Sequence, residues 1–138
     1  MSIVQTQTTS FKAELYQGIH DLTTDVIKIA LYTASANLNA STTVYSTTNE
    51  VVASGYTAGG ETMTGITINS ADYTAYVGFN NVSWTSALTA RCALIYNSSK
   101  ANRAIAVLDF GSDKSSSSTF TITMPQATAT TALIRSSN

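Results

Sequence analysis

The chain has 138 residues, a mass of 14.6 kDa and a formal net charge of −1, a size that predicts one domain able to bury its own core. Charged residues make up only 11% of it, and its three arginines and four lysines are scattered singly. We therefore expect no nucleic-acid binding, which needs a basic stripe to neutralise phosphates. No long apolar run and no signal-peptide pattern is present, which predicts no membrane partner and synthesis in the cytoplasm.

Serine and threonine, about 40 residues together, take the place of the missing charges. Because threonine is β-branched and suits a pleated, half-exposed surface, this composition favours sheets with hydroxyl-bearing outer faces. The single cysteine, Cys92, excludes an internal disulfide and a site with several cysteine ligands. We expect it at a buried strand position.

Residues 1–9 are polar and have no core of their own, so we expect a flexible arm that becomes ordered against a partner, followed by a single domain at 10–138. The stretch "SFKAELYQG" predicts a short amphipathic helix with Ser10 as N-cap and Gly18 at its end. The strand "DVIKIALYT" follows, and its alternation turns three apolar side chains toward the core: Ile27, Ile29 and Leu31.

The next segment, residues 34–48, has no sustained hydrophobic period and many turn-forming residues, which predicts a long loop. Loops of this length are usually functional or ordered by a neighbour. The stretch "TNEVVASG" that follows favours one or two helical turns, with Thr48 as the cap and Gly55 as the end.

Four of the seven glycines lie within eleven residues, in "GYTAGGETMTG". A phosphate-binding loop would need G-x-x-x-x-G-K-[ST], and a dinucleotide fingerprint would need G-x-G-x-x-G between a strand and a helix. This stretch has neither spacing and no lysine. We therefore interpret its glycines as backbone positions with positive φ in a tight turn that leads into the strand "TMTGITINS".

The second half of the chain predicts several short strands. "YTAYVGF" and "VSW" are separated by an Asn-Asn turn, "ARCALIYN" and "AIAVLDFG" form a hairpin, and "SDKSSSS" is a low-complexity loop. "TFTITMP" should turn Phe120, Ile122 and Met124 inward, and "TTALIRS" is a last short strand. The sequence thus predicts a mainly β fold, an antiparallel β-sandwich or jelly-roll-like domain with one short N-terminal helix.

No group of residues predicts catalysis, a cofactor or a metal. His20 has no partners at ligand spacing, and although His20 and Asp109 could join a hydroxyl in a triad, no G-x-S-x-G elbow marks a nucleophile. The carboxylate pairs Glu50 with Glu61 and Asp109 with Asp113 are as easily turn and cap residues as a glycosidase pair. We expect no enzyme, and no catalytic, cofactor-binding or metal-binding residue is assigned.

Two non-enzymatic classes of function remain. A carbohydrate-binding module would use exposed aromatic rings, for which Tyr45, Tyr56, Tyr73, Tyr76 and Trp84 are candidates, although Trp84 lies in an alternating strand and is as easily core. An assembly protein would use nearly uncharged, hydroxyl-rich faces and an arm to dock on a preformed scaffold. The long loop and the arm favour the assembly protein.

Several stretches also resemble a known family. "IKIALYT", "VYSTTNEV", "SGYTAGG" and "ALIYN", together with "ARCALIYNSSKANRAIAVLDFG" and "FTITMP", are similar to small structural proteins encoded in the virion gene blocks of tailed bacteriophages. The resemblance covers about residues 11–135. It implies a place in the particle and supplies no catalytic residue.

The resemblance implies a capsid decoration or cement protein, a homotrimer that binds the major capsid protein at threefold positions of the phage head. A tail, neck or head-fibre component is the alternative. Under this hypothesis residues 2–10 reach a neighbouring subunit, and the loop at 34–48 contacts the capsid or sister subunits.

Overall fold

The computed structural model describes residues 2–137, so Met1, part of the predicted arm, lies outside the described residues. Strands account for 42% of the chain and helix for 6%, and all paired strands are antiparallel, which confirms the mainly β expectation with one short N-terminal helix. The elements are β1 (Thr6–Gln7), α1 (Thr9–Tyr16), β2 (Ile27–Tyr32), β3 (Glu61–Thr62), β4 (Thr67–Ala71), β5 (Thr74–Gly78), β6 (Val82–Trp84), β7 (Thr89–Asn97), β8 (Arg103–Ser115), β9 (Phe120–Ile122) and β10 (Ile134–Ser136).

The strands form three sheets. A five-stranded sheet has the order β1-β8-β7-β2-β3, a three-stranded sheet the order β10-β5-β4, and β6 pairs with β9. The predicted hairpin is present as β7 and β8, the longest pair in the fold. The arrangement is sandwich-like, but the jelly-roll form of the expectation is not confirmed, because a jelly roll distributes eight strands over two sheets.

The main core lies between the five-stranded sheet and the two smaller sheets. The predicted inward faces are confirmed, since the side chains turned into this core include Ile27, Ile29 and Leu31 of β2, Trp84 of β6, and Phe120, Ile122 and Met124 in and just after β9. Alternating strand residues thus supply most of the hydrophobic stabilisation, at roughly 1.5–3 kcal/mol for each large side chain buried.

The opposite face of the five-stranded sheet is buried as well. Its cluster contains Ala30, Tyr32, Cys92, Leu94 and Val107, and residues from the loop at 34–48 pack over it. Cys92 is fully buried in β7, as expected, and burial raises the pKa of its thiol to about 11. Both faces of β2 and of most of β7 are therefore covered, and Thr89 at the start of β7 is exposed.

The N-terminal segment differs from the expected free arm. Thr6 and Gln7 form β1 against Val107 and Ala106, and the backbone N–H of Thr8 donates to the carbonyl oxygen of Ile105 at 2.9 Å. Thr6 and Gln7 thus form an edge strand of the main sheet, and the segment is not a free arm. The sequence did not predict this strand, because a two-residue edge strand forms through backbone hydrogen bonds and needs no alternating apolar side chains.

The N-cap of the helix lies two residues before the predicted one. Thr8, fully buried, accepts a hydrogen bond from the backbone N–H of Phe11 at 3.2 Å and so caps α1 in place of Ser10. Phe11 is the buried residue of the helix, and Gly18 follows its C-terminus at φ +70°, as predicted for a helix end.

Two other predictions of local structure were wrong. Residues 48–55 form turns and bridges instead of a helix, since Val51 pairs through its N–H with the carbonyl of Leu31. The predicted loop "SDKSSSS" is shorter than expected because β8 continues to Ser115, opposite Thr89. In both cases a neighbouring strand supplies backbone hydrogen bonds that outweigh the local propensity.

A buried polar cluster joins the segment after α1 to the β7–β8 hairpin. The side chain of His20 is fully buried, with Nε2 2.8 Å from Glu14 Oε1 and Nδ1 3.0 Å from Asn97 Nδ2. The Asn97 amide also donates to Asp25 at 2.8 Å, and Lys100 donates to both oxygens of Asp25. His20 is therefore fixed in place by burial and by these hydrogen bonds.

Asp25 makes this cluster sensitive to acid. Burial disfavours its charge, but hydrogen bonds from Asn97 and Lys100 outweigh burial and lower the pKa of Asp25 from 3.8 to about 2. Because the folded-state pKa lies below the unfolded value, the stability contributed by Asp25 is present above pH 4 and is lost as the pH falls toward 2.

We predict that Asp25→Asn lowers the free energy of unfolding by about 1 kcal/mol at pH 7, a value reduced for the partial solvent exposure of Lys100. The difference from the parent chain should disappear near pH 2. Urea unfolding at both pH values measures it, with the exposed Asp113→Asn as the matched control, expected within about 0.5 kcal/mol of the parent. An equal loss for both variants would contradict this role of Asp25.

Candidate interaction surface

The two segments that the sequence singled out as binding elements lie side by side. The N–H of Val4 donates to the carbonyl of Leu38 at 3.0 Å, and the N–H of Leu38 donates to the carbonyl of Ser2 at 2.8 Å. A further bond joins the N–H of Thr9 to the carbonyl of Ala40 at 2.9 Å. The structure therefore combines the expected arm and the expected loop into one surface over the five-stranded sheet.

This surface, formed by residues 2–9 and 37–44 and called here the neutral surface, contains no Asp, Glu, Lys or Arg. Apolar groups project from it: Val4 is 50% exposed and Val44 is 48% exposed. A shallow hollow of about 270 Å³ lies on the loop side, between polar side chains of residues 37–44. Such a surface favours shape complementarity and neutral hydrogen bonds over ion pairing.

A buried carboxylate, that of Glu50, fixes the end of the loop that contributes residues 37–44 to the neutral surface. Glu50 is 7% exposed, and its Oε1 accepts a hydrogen bond from the Tyr45 hydroxyl at 2.6 Å. Its Oε2 accepts from the Tyr56 hydroxyl at 2.5 Å and from the backbone N–H of Gly59 at 2.9 Å. Both carboxylate oxygens are thus satisfied without a cation, as a buried charge requires.

Tyrosines connect this carboxylate to the sheet. The Tyr56 hydroxyl accepts from the N–H of Leu31 in β2, and the Tyr96 hydroxyl of β7 donates to the carbonyl of Gly59 at 2.6 Å. The rings of Tyr45 and Tyr96 stack with centroids 4.6 Å apart. Burial, followed by the hydrogen bond to Glu50, raises the pKa of Tyr45 and of Tyr56 well above the ordinary value.

The glycine-rich stretch serves this arrangement, as the sequence predicted, by adopting positive φ: Gly55, Gly59, Gly60 and Gly65 all do so. Gly60 also lies against β2, where a Cβ atom would come within 1.8 Å of the Ile29 carbonyl oxygen. The absent side chain lets the loop approach the strand, and β3 then pairs with β2. The glycines therefore form a structural contact between loop and sheet.

The aromatic residues proposed for sugar binding do not form a common platform. Trp84 and Tyr56 are buried, and Tyr45 is occupied by its stack on Tyr96. Tyr73 is 90% exposed at the turn between β4 and β5, and Tyr76 in β5 is half-buried. The core interpretation of Trp84 is confirmed.

The carboxylates considered for catalysis have structural contacts or stand in solvent. Glu50 is enclosed by the tyrosines, while Glu61 is exposed in β3. Asp109 pairs with Arg91 and accepts from the N–H of Gly111, and Asp113 is exposed in β8. Among residues 2–137 no group of three or more His, Cys, Asp or Glu side chains could hold a metal ion.

The network around Glu50 was not predicted from the sequence. The only signal there is that one carboxylate stands in a stretch free of other charges from residue 29 to 60, beside several tyrosines.

Within residues 2–137 no helix has the length and apolar character needed to cross a bilayer. No family model matches the chain, and no curated protein or solved structure is significantly similar to it. The resemblance to phage virion proteins therefore stays a prediction.

We predict that Gly60→Ala destabilises the fold by about 3 kcal/mol or more, because the new Cβ would overlap the Ile29 carbonyl. Gly18→Ala is the matched control, since Gly18 also has positive φ but no atom lies within 4 Å of the place its Cβ would take. The control should cost about 1 kcal/mol, the ordinary penalty of that backbone conformation. Chemical denaturation measures both values, and equal losses would contradict the close approach.

We also predict that the protein loses stability in alkali. Burial raises the pKa of Tyr96 to about 12, and those of Tyr32, Tyr45 and Tyr56 rise as well. Since unfolded tyrosine ionises near pH 10, the stability due to these groups is complete below pH 10 and is lost as the pH rises above it. Urea midpoints from pH 7 to 11.5 test this, and Tyr96→Phe should weaken the dependence. A constant midpoint through pH 11.5 would contradict it.

Proposed function

We propose that this protein is a bacteriophage virion structural protein with no enzymatic activity, which decorates the outer shell at junctions of major capsid subunits and stabilises it. The observation that supports the proposal best is the neutral surface. Two segments distant in sequence, 2–9 and 37–44, are tied by backbone hydrogen bonds into one uncharged surface with exposed valines. The family resemblance supplies the particle as the place where such a surface would act.

The mechanism follows from the chemistry of that surface. An uncharged surface has a small desolvation penalty when it is covered, so modest apolar and hydrogen-bonding contacts give net binding. Repetition adds to this, because a homotrimer at a threefold position would engage three sites at once and gain avidity. A clamp across a subunit junction resists internal pressure, since its contacts must break before the subunits separate.

The fold also supports a rigid presentation of the binding segments. Leu38 and Ala36 are buried against the outer face of the five-stranded sheet, and the Glu50 network holds the following segment. The segments are thus ordered before binding and lose less conformational entropy on docking than a free arm would.

We predict that a charge placed in the neutral surface weakens shell binding at least tenfold. Val4→Asp puts a carboxylate at a half-exposed position of that surface, where docking would have to desolvate it. Val52→Asp is the matched control, because Val52 is 97% exposed and lies outside the surface. Both should fold as the parent does. A deletion of residues 2–9 is a poorer test, since it would also remove β1 and the Thr8 cap.

The measurement is incubation of each purified protein with expanded capsids that lack it, followed by sedimentation and reconstruction of the particle. We expect saturable binding of the parent and of Val52→Asp, with at least tenfold weaker binding of Val4→Asp. Binding of the parent to tail, neck or fibre assemblies alone would place the protein elsewhere in the virion. Equal binding by Val4→Asp would exclude the neutral surface, and binding to host glycans alone would favour a carbohydrate-binding module.

A further inference from the structure

The outer edge of β4 is open. In the three-stranded sheet β4 pairs on one side with β5, and no strand within residues 2–137 pairs with it on the other. All five of its residues are exposed, so the end of the β4–β5 hairpin projects from the domain. Ile68 in its centre is 49% exposed. This edge takes no part in the neutral surface or in the Glu50 network.

The register of the hairpin shows which backbone groups face outward. Ala71 is opposite Thr74 across a two-residue turn, and such a pair exchanges the hydrogen bonds that close the hairpin. Alternation then directs the bonds of Asn69 and Thr67 toward β5 as well. The N–H and C=O groups of Ile68 and Ser70 consequently point away from β5, toward the open edge.

The edge lacks the features that usually prevent strand pairing. Residues 62–71 contain no charged side chain and no proline, and no register shift interrupts the pairing of β4 with β5. The far end of β8 differs, because it carries Asp113 and Lys114, and its register with β7 is broken near Gly111. The end of β8 thus carries features that hinder pairing with another strand, and β4 carries none of them.

We propose that β4 pairs with β4 of a second copy of this chain, antiparallel about a twofold axis at Asn69. Ile68 then lies opposite Ser70 of the second copy, and each such pair exchanges backbone hydrogen bonds with the outward groups. The two Ile68 side chains become diagonal neighbours on one face and cover each other's exposed surface. The two three-stranded sheets join into one continuous sheet.

The pattern of charge is compatible with a second copy as the occupant. In this register the nearest charged residue, Asp72, lies opposite Ile66 of the other copy, so no two like charges meet. The contact is self-complementary, as a twofold interface requires, because each strand supplies the same donors, acceptors and isoleucine. The uncharged edge offers an acidic or basic peptide no such match.

This contact does not depend on the proposed role in the virion. A twofold contact turns a monomer into a dimer, and it turns a trimer into a hexamer when its twofold axes cross the threefold axis. It also uses the β4 edge of the three-stranded sheet, whereas the neutral surface meets that sheet at its opposite edge, where the Gln7 amide donates to the Arg135 carbonyl of β10. The test therefore uses the purified full chain without capsids.

The decisive variant is Ser70→Pro, because proline removes the outward N–H of Ser70 and leaves the ladder to β5 intact. Ser70→Ala is the matched control, since it changes the side chain and keeps that N–H. Sedimentation velocity over a rising concentration series should show the mass of the parent and of Ser70→Ala double. Ser70→Pro should need at least a tenfold higher concentration for the same step. Circular dichroism and thermal melting check that all three fold.

Hydrogen exchange of the parent chain supplies a test that needs no variant. The amides of Ile68 and Ser70 should become protected as the concentration rises, while those of the turn at 98–102 should not change. A parent of constant mass up to millimolar concentration would overturn the proposal. So would equal doubling by Ser70→Pro, or doubling without protection in β4, since either result would place the contact on another surface.

Discussion

The carboxylate of Glu50, buried and held by three hydrogen-bond donors, is the contact on which the rest of this structure depends. A carboxylate leaves water at a cost of several kcal/mol unless its oxygens are satisfied, so Tyr45, Tyr56 and the N–H of Gly59 must stay in place once the chain has folded. Each donor fixes a different piece: Tyr56 reaches β2, Gly59 orders the glycine turn, and Tyr45 anchors the long loop. One carboxylate therefore holds two irregular segments, the glycine turn and the long loop, against β2.

That coordination explains how a single sheet is buried on both faces. The inner face of β2, β7 and β8 meets the smaller sheets through ordinary alternating apolar residues, while the outer face is covered by irregular chain. Irregular backbone over an apolar face must find hydrogen bonds for its own N–H and C=O groups. The bonds between residues 2–9 and 38–40 supply some of them, and these two segments carry no charged residue.

The features that could be predicted from the sequence are those set by local patterns of apolar residues and glycines. The two-residue alternation identified the inward faces of β2 and β9 and the core position of Trp84, and the glycines marked backbone with positive φ. The N-terminal strand, the buried state of Glu50 and the His20 cluster depend on partners far along the chain, such as Asn97, which lies 77 residues from His20. Polar residues predict exposed loops locally, and only the tertiary fold brings the donors and acceptors that let them be buried. Ile68 is the opposite case: it lies in a strand whose alternating pattern predicts a buried apolar side chain, yet it is 49% exposed.

The distribution of charge connects these features with binding. Glu50 is the one acidic or basic residue between residues 29 and 60, and it is buried, so the long loop contributes no charge to the surface. Without charges a surface gains no electrostatic steering, and its association rate should stay near the ~10⁵–10⁶ M⁻¹s⁻¹ of neutral partners. Residence on a target then has to come from contact area and from the number of copies engaged together. The neutral surface would supply the contact area, and the proposed pairing of β4 strands would supply the number of copies. The two act separately, because pairing at β4 leaves the neutral surface uncovered.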